Sequence, residues 1–424
     1  MRLRLHALPC ATLAVWTLLA AAVAAQPPKP WPAEAFLPLT TARIAALPTV
    51  DQAVWRSFWE KSITRRRTLS ARDLTDYSPL QPVSTPPAGA SYSRGLDLDA
   101  RPAWYATEEA RMIADHVVDW QIATGGWTKG GDYRRNRKPE DNHDDVWSLG
   151  TFDNNSTIYE LRFLARVSAA SADQPELAQR VATWRASFLR GLDYIFDAQY
   201  PNGGFPQIYP LAGGYHDAIT FNDDAFVHIL ELLGAVGGQK AEFAFVSADQ
   251  AALARERWQR GIRCLLAAQL RDNHGQRTVW SQQVDALTLQ PCAARNFEPI
   301  AECSNESAGL VEFLLGVESP TPEIAAAVEG AMAWFQARAL HGVVWNREAA
   351  TGSGLEPRGG APDLWARFYE IGTGRPIFGE RDRTIHYVVT EISLERRRGY
   401  SWFNSRAVEL FPRYETWRLK HARK

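Results

Sequence analysis

The chain has 424 residues, with 47 Lys and Arg against 48 Asp and Glu and a formal net charge of −1. That balance excludes the whole-chain basic field that nucleic acid binding needs, and the length allows one large domain or two or three smaller ones. The 16 Trp and 13 Tyr suit an exported protein that handles sugars, although such rings also fill cores.

In chain order, Arg2, Arg4 and His6 precede an almost wholly apolar run over 8–22, and Ala22-Val23-Ala24 follows as a small-x-small site. This pattern predicts a signal peptide over 1–25. The run is too short for a membrane span, and no later segment qualifies. The expectation is a secreted or periplasmic protein with no membrane contact after cleavage. Residues 26–104, rich in Pro, Ser and Leu, read as an N-terminal extension packed on the core, with one helix over 51–66. Residues 105–424 read as the main domain. Two basic clusters, at 134–138 and 396–398, read as solvated surface.

From about residue 107 a unit recurs with a period of roughly 70–80 residues. Met112, Ile113, Val117 and Trp120 form one helical face ending at Gln121, and Gly125-Gly126-Trp127 follows as a turn. Trp184, Phe188, Leu192 and Ile195 form the next face, ending at Gln199 before Gly203-Gly204-Phe205. Trp258, Ile262, Leu265 and Leu266 form a third, ending near Gln269. Each unit then opens a second helix behind a short polar segment. Asp153 or Asn155 would cap 158–167, Asp223 or Asp224 would cap 226–233, and Ser304 or Asn305 would cap 308–314. Three helical hairpins in succession predict a mainly α fold, an α/α toroid (an incomplete α/α barrel) with short β ribbons at 279–284 and 387–392. Helix ends and their loops would line one cleft.

The polar segments are near-duplicates: Thr151-Phe152-Asp153-Asn154-Asn155 and Thr220-Phe221-Asn222-Asp223-Asp224. Capping needs one oxygen per helix, whereas each segment offers three adjacent oxygen-bearing residues. The surplus suits calcium, a hard cation that takes six to eight oxygen ligands. Arg295 stands in the third unit, where the first two place acids; a salt bridge to Glu298 or Glu302 is its structural alternative. Arg367 lies among aromatics, and Arg381 follows 14 positions later. An arginine among aromatics reads equally as core-edge packing with a snorkelling head group and as a fork for a carboxylate, and Lys129 adds a cation. Cys292 and Cys303 are close enough in sequence for a disulfide, which an oxidising compartment permits. Calcium ligands beside several cations and many rings fit an acidic polysaccharide.

These motifs resemble those of the family 10 polysaccharide lyases, which are pectate lyases. The resemblance runs over about 105–405, through Gly125-Gly126-Trp127-Thr128-Lys129, Thr151-Phe152-Asp153-Asn154, Tyr200-Pro201-Asn202-Gly203-Gly204-Phe205-Pro206-Gln207, Thr220-Phe221-Asn222-Asp223, Ala294-Arg295-Asn296-Phe297-Glu298 and Trp365-Ala366-Arg367-Phe368-Tyr369. Phe297 departs from the family's Tyr, a change of packing rather than chemistry. The resemblance implies calcium-assisted β-elimination on polygalacturonate by a monomer, giving 4,5-unsaturated oligogalacturonides. Asp153 and Asp223 would hold Ca2+, with Asn154 beside them. Arg295 would be the base, and Arg367, Arg381 and Lys129 would bind substrate. An arginine base needs a depressed pKa, which calcium, Arg367 and Arg381 would supply by repelling its charge, with an alkaline optimum. Two other functions use the same residues. One is an α/α-toroid glycoside hydrolase with Asp153 and Asp223 as acid and base; the other is a non-catalytic acidic-glycan-binding protein.

Overall fold

The computed structural model describes residues 28–31, 38–69, 93–138, 141, 146 and 149–421; the predicted signal peptide lies outside them. The extension contributes α1 (Thr41–Ala45) and α2 (Thr49–Leu69). The main body follows with α3 (Glu108–Trp120), α4 (Ile158–Ala170), α5 (Ala178–Ala198), α6 (Ala225–Gly237), α7 (Ala248–Ala267), α8 (Ser304–Leu315) and α9 (Pro322–Arg338), then α10 (Leu394–Arg398) and α11 (Leu410–His421). The pairs α4–α5, α6–α7 and α8–α9 pack side by side, as an α/α toroid requires. The amphipathic spacing explains the layering: Trp184, Phe188, Leu192 and Ile195 are all fully buried in α5. Met112 departs from its predicted face and is half-exposed; Ala110, Ile113, Ala114 and Val117 bury instead.

One device is repeated at the three turns. The Gln121 side-chain amide donates to Gly125 O at 2.7 Å and to Ser187 O of α5 at 2.9 Å. Gln199 does the same to Gly203 O and to Arg257 O of α7. Gln269 binds Thr278 O and Ala327 O of α9. A buried amide thus satisfies a turn carbonyl and a carbonyl of the next outer helix together. Gly125 and Gly203 have φ of 99° and 97°, and a Cβ there would lie 2.4 Å from Arg190 O and 2.2 Å from Arg260 O, so both turns require glycine.

Short strands join the units on one side of the toroid. β1 (Lys29–Pro30) comes from the extension, followed by β2 (Gly150–Thr151), β3 (Ile208–Tyr209), β4 (Ile219–Thr220), β5 (Gln283–Val284), β6 (Pro291–Cys292) and β7 (Glu302–Cys303). Then come β8 (Val343–Trp345), β9 (Leu355–Pro357), β10 (Trp365–Ala366), β11 (Phe368–Tyr369), β12 (Pro376–Gly379), β13 (Thr384–His386) and β14 (Phe403–Asn404). β2 pairs with β3, and β4 with β5 and β6. The order β1-β13-β12-β11-β7 makes the largest sheet, all antiparallel. The predicted ribbon at 279–284 is realised only at its end, as β5. The one at 387–392 is not: residues 389–391 form a single helical turn, and the strand lies just before it as β13.

Cys292 and Cys303 are both buried free thiols, so the disulfide that the sequence left open is not formed. β6 and β7 belong to different sheets, and the Cys303 thiol is hydrogen-bonded to Glu306.

Candidate active site

The two polar segments sit where β2 and β4 end. Thr151 N donates to Trp127 O and Phe152 N to Gln207 O, both at 3.0 Å. Thr220 N and Phe221 N repeat this with Phe205 O and Gln282 O. Cys303 N and Ser304 N repeat it again with Trp280 O and Arg367 O. Asn222 therefore stands at the position of Asp153, and Asp223 at that of Asn154. Asn154 and Asp223 share left-handed backbone, with φ of 49° and 50°, tolerated because short polar side chains compensate locally.

Neither acid caps its helix. The residue before α4 is Thr157 and the residue before α6 is Asp224, and neither makes a side-chain cap bond. α8 starts at Ser304 itself, whose hydroxyl donates to Ala366 O. The capping expectations fail because two left-handed residues turn the chain away before α4 and α6 start. The carboxylates are thereby released from local duty.

Asp153 is 6 % exposed, and its Oδ2 accepts from Lys129 Nζ at 2.5 Å. Asp223 accepts from Asn222 Nδ2 at 2.7 Å. Burial, then the charges of Asp153 and Glu306, push its carboxyl up to about 6, against the pull of Arg367 and Arg295. Asp224 points elsewhere, into a two-point ion pair with Arg406 at 3.0 and 2.8 Å. Of the two adjacent acids, Asp223 is the one that shares a field with Asp153. Among the described residues no group of three or more His, Cys, Asp or Glu could hold a metal. Two mutually repelling carboxylates with the Asn154 amide oxygen are hard donors of the kind calcium takes, whereas the Asn222 oxygen is already taken by Gln282 and Arg367. That set is incomplete without further oxygens.

Arg295 departs from its expected setting in two ways. It lies in the loop between β6 and β7, outside the position that Asp153 and Asn222 share, because the third unit inserts β6 before its last helix. It is also held in a two-point ion pair by Glu298, the structural alternative noted from sequence. Arg295 Nε donates to Glu298 Oε2 at 2.8 Å and Nη2 to Oε1 at 2.5 Å. Burial alone would lower the arginine pKa, but the adjacent Glu298 charge outweighs it and raises the pKa, contrary to the expected fall. Burial likewise opposes the Glu298 charge, yet Arg295 holds that carboxyl at about 2.

Glu298 is the residue the sequence reading undervalued. Gln282 Nε2 donates to Glu298 Oε1 at 3.1 Å and to Asn222 Oδ1 at 2.7 Å, and the Tyr400 hydroxyl donates to Glu298 Oε1 at 2.8 Å. One polar chain therefore runs Asp223, Asn222, Gln282, Glu298, Arg295. Only the i,i+3 spacing of Arg295 and Glu298 was a local signal; Gln282 lies 16 positions before Glu298 and Tyr400 lies 102 after it.

Arg367 is 7 % exposed and spent on Glu306 and on Asn222 Oδ1. Burial works against its charge, but Glu306 raises its pKa well above the ordinary value. Arg381 is exposed and bound to Glu395 at 3.0 and 2.9 Å. The Phe297 ring lies under Arg396, Arg295 and Arg381 at 4.3, 4.8 and 5.7 Å. Arg396 and Arg397 are buried, so that basic cluster is not solvated surface. Tyr215 and His216, also unanticipated, are buried where the charges of both Asp153 and Arg295 act on them.

The pectic acid lyase family model matches residues 121–410. A family 10 polysaccharide lyase from Cellvibrio cellulosa is similar in structure, with a TM-score of 0.64 and 32 % identity, over 77 % of this chain and 99 % of that one. An aspartate-to-alanine mutant of a family 10 lyase from the same organism, in complex with trigalacturonic acid, matches with a TM-score of 0.63 at 32 % identity. It covers 75 % of this chain and 98 % of its own. No curated protein matches the chain. Membership of a lyase family sets aside the hydrolase and the non-catalytic alternatives, and the ordered motifs, the toroid and these likenesses place the chain among the pectic acid lyases, family 10 of the polysaccharide lyases.

Proposed function

We propose that this pectate lyase cleaves polygalacturonate by β-elimination in a cleft bounded by Asp153, Asp223 and Arg295. The polar chain from Asp223 to Arg295 carries the reading, because it ties an oxygen donor set for a cation to a guanidinium at fixed distances. Calcium, held by Asp153 and Asp223 with Asn154 beside them, would polarise the carboxylate of the sugar losing its proton. Lys129, which now balances Asp153, would turn to a substrate oxygen once that charge is met. Arg381 would grip a neighbouring uronate at the rim, and Arg367 would add positive field from within the wall.

Arg295, after giving its own proton to solvent and leaving Glu298, would take the C5 proton. The C5–H pair becomes the C4=C5 bond, the C4–O bond breaks, and the leaving oxygen takes a proton from solvent. Charge develops on the carboxylate next to C5, where fixed cations lower the barrier most. The bond to Glu298 favours a second reading, in which Arg295 keeps its proton and clamps that carboxylate while another group abstracts. Arg295→Gly supplied with guanidines and amidines of graded pKa separates the two. A base gives rescue that climbs with pKa, and a clamp gives rescue indifferent to it.

The protein is expected to act outside the cytoplasm on the strength of its leader-like first 25 residues. No described helix is long and apolar enough to cross a membrane. Polygalacturonate with calcium, followed by absorbance of the new double bond and repeated with a chelator, tests the whole reading. Absence of a calcium-dependent signal would overturn it.

A further inference from the structure

We propose that the N-terminal extension is a latch on both acid-bearing segments, with Ser62, Arg66 and Arg43 as positioning residues for Asp153 and Asp223. The proposal rests on the lyase reading for its catalytic consequence and on geometry for the rest. α1 and α2 lie outside the 121–410 span that matches the family.

α2 grips the first segment from behind. Ser62 is fully buried and its Oγ accepts from Leu211 N at 2.8 Å. Arg66 is 1 % exposed, and its Nη1 donates to Leu211 O at 3.2 Å. A guanidinium buried this deeply is tolerated only when hydrogen-bonded, and here it binds main chain just past β3. Phe58 packs on Tyr209, the last residue of β3, at 6.0 Å and on Tyr200 at 4.8 Å. β3 pairs with β2, Tyr209 opposite Gly150 and Ile208 opposite Thr151. β2 leads directly into Asp153.

α1 grips the second segment in the same way. Arg43 Nη2 donates to Asp285 Oδ2 at 2.7 Å. Asp285 follows β5, which pairs with β4, Thr220 opposite Gln283. β4 leads into Asp223. A third tie joins the two grips: Leu39 N donates to Asp217 Oδ2, and Gly213 N to Asp217 Oδ1, on the turn that carries Tyr215 and His216. The extension therefore touches the chain at or just past the strand that pairs with each acid-bearing strand. Two carboxylates set to share one cation must hold their spacing against mutual repulsion, and such support is worth 10–100-fold in metal affinity in typical sites.

Hydrogen–deuterium exchange and kinetics on the full chain test this with Ser62→Ala, Arg66→Ala and Arg43→Ala. Lys61→Ala, which removes only an α2 ion pair to Asp197, is the control. Exchange is expected to rise over 207–217 and 150–157 in the α2 variants and over 219–224 in Arg43→Ala, with the control unchanged. Half-saturating calcium is expected to rise roughly tenfold with kcat at saturating calcium within about twofold, and Arg66→Lys should recover part of the loss. Faster exchange confined to 38–69 with an unaltered calcium requirement would overturn the latch. If the wild type has no lyase activity, the lyase reading fails and the exchange pattern alone decides the latch. If Arg66→Ala does not fold, Ser62→Ala carries the same test through a single lost oxygen.

Discussion

Arg295 and Glu298 form a two-point ion pair with nitrogen–oxygen distances of 2.8 and 2.5 Å, the acid buried and the arginine partly open to the cleft. The pair is a positioning device before it is anything else. Glu298 aims the guanidinium, while Gln282 and Tyr400 aim Glu298. A base built this way must be freed from its own partner in the loaded site, so the activity of Glu298 variants is as informative as that of Arg295 variants.

The pair also predicts a pH dependence of stability. The Glu298 carboxyl is held at about 2 against an ordinary 4.5. A depressed acid pKa adds stability that is complete above the unfolded value and is lost as pH falls through the folded one. The window is therefore about pH 4.5 down to 2. Because Arg295 is half in solvent, the contribution is on the order of 2 kcal/mol rather than the full linkage figure. Urea unfolding of wild type and Glu298→Gln should show a gap at pH 6 that shrinks steadily toward pH 2.5. A gap that is constant with pH would mean that the pair does not stabilise the fold.

Asp223 and Asp224 are neighbours with different duties, and substitution should separate them. Asp224→Asn breaks a partly exposed pair with Arg406 and should cost about 1 kcal/mol of stability with near-normal turnover. Asp153→Asn and Asp223→Asn should each lower activity about a hundredfold or more, and excess calcium should restore part of it. Asp223→Asn should also leave the thermal midpoint equal or higher, since burial and the charges of Asp153 and Glu306 oppose its carboxylate, whereas Asp153→Asn breaks the largely buried ion pair with Lys129 and should lower it. Calcium-dependent turnover in all three, compared with thermal midpoints, checks the assignment.

What could be read in the sequence was the repeat. Trp184, Phe188, Leu192 and Ile195 bury as their spacing required, and Gln121, Gln199 and Gln269 all end their helices in one way. Local pattern could not show the left-handed pair Asn154–Asn155 or Asp223–Asp224, which moves each acid out of its capping role. Nor could it show that Arg367 would be spent on Glu306, 61 positions away, or that Asp223 would outrank Asp224. Those outcomes depend on which distant backbone closes each ribbon. Arg295 was misplaced for the same reason: its unit inserts a strand with no counterpart in the other two.

The buried thiols give an inexpensive check on the sheet assignment. Cys264, Cys292 and Cys303 are free and buried. Burial pushes the Cys264 thiol up to about 12 and, followed by the Glu306 charge, raises that of Cys303 well above its ordinary value, so thiolate is scarce near neutral pH. Native protein lacking residues 1–25 should react slowly with a thiol reagent and denatured protein should yield three equivalents. One equivalent after denaturation without reductant would mean that Cys292 and Cys303 are joined, and that β6 and β7 are closer than described.

Arg381 offers the cleanest separation of binding from folding. Its ion pair with Glu395 is exposed on both sides, 60 % and 56 %, so Arg381→Ala should change stability by less than about 0.5 kcal/mol. Its neighbour Arg396 stacks on the same Phe297 ring at 4.3 Å and keeps the rim in place when Arg381 is lost. A uronate competing with Glu395 for the fork would gain two charge-assisted bonds, so the substitution should raise KM roughly tenfold and leave kcat nearly unchanged. Glu395→Gln should act oppositely, releasing Arg381 and lowering KM. Both effects should fade as salt is raised, because charges this exposed are screened over about 10 Å at 0.1 M. Steady-state kinetics on polygalacturonate at low and high ionic strength would decide it: a fall in kcat with KM unchanged would place Arg381 in the chemistry instead of at the rim.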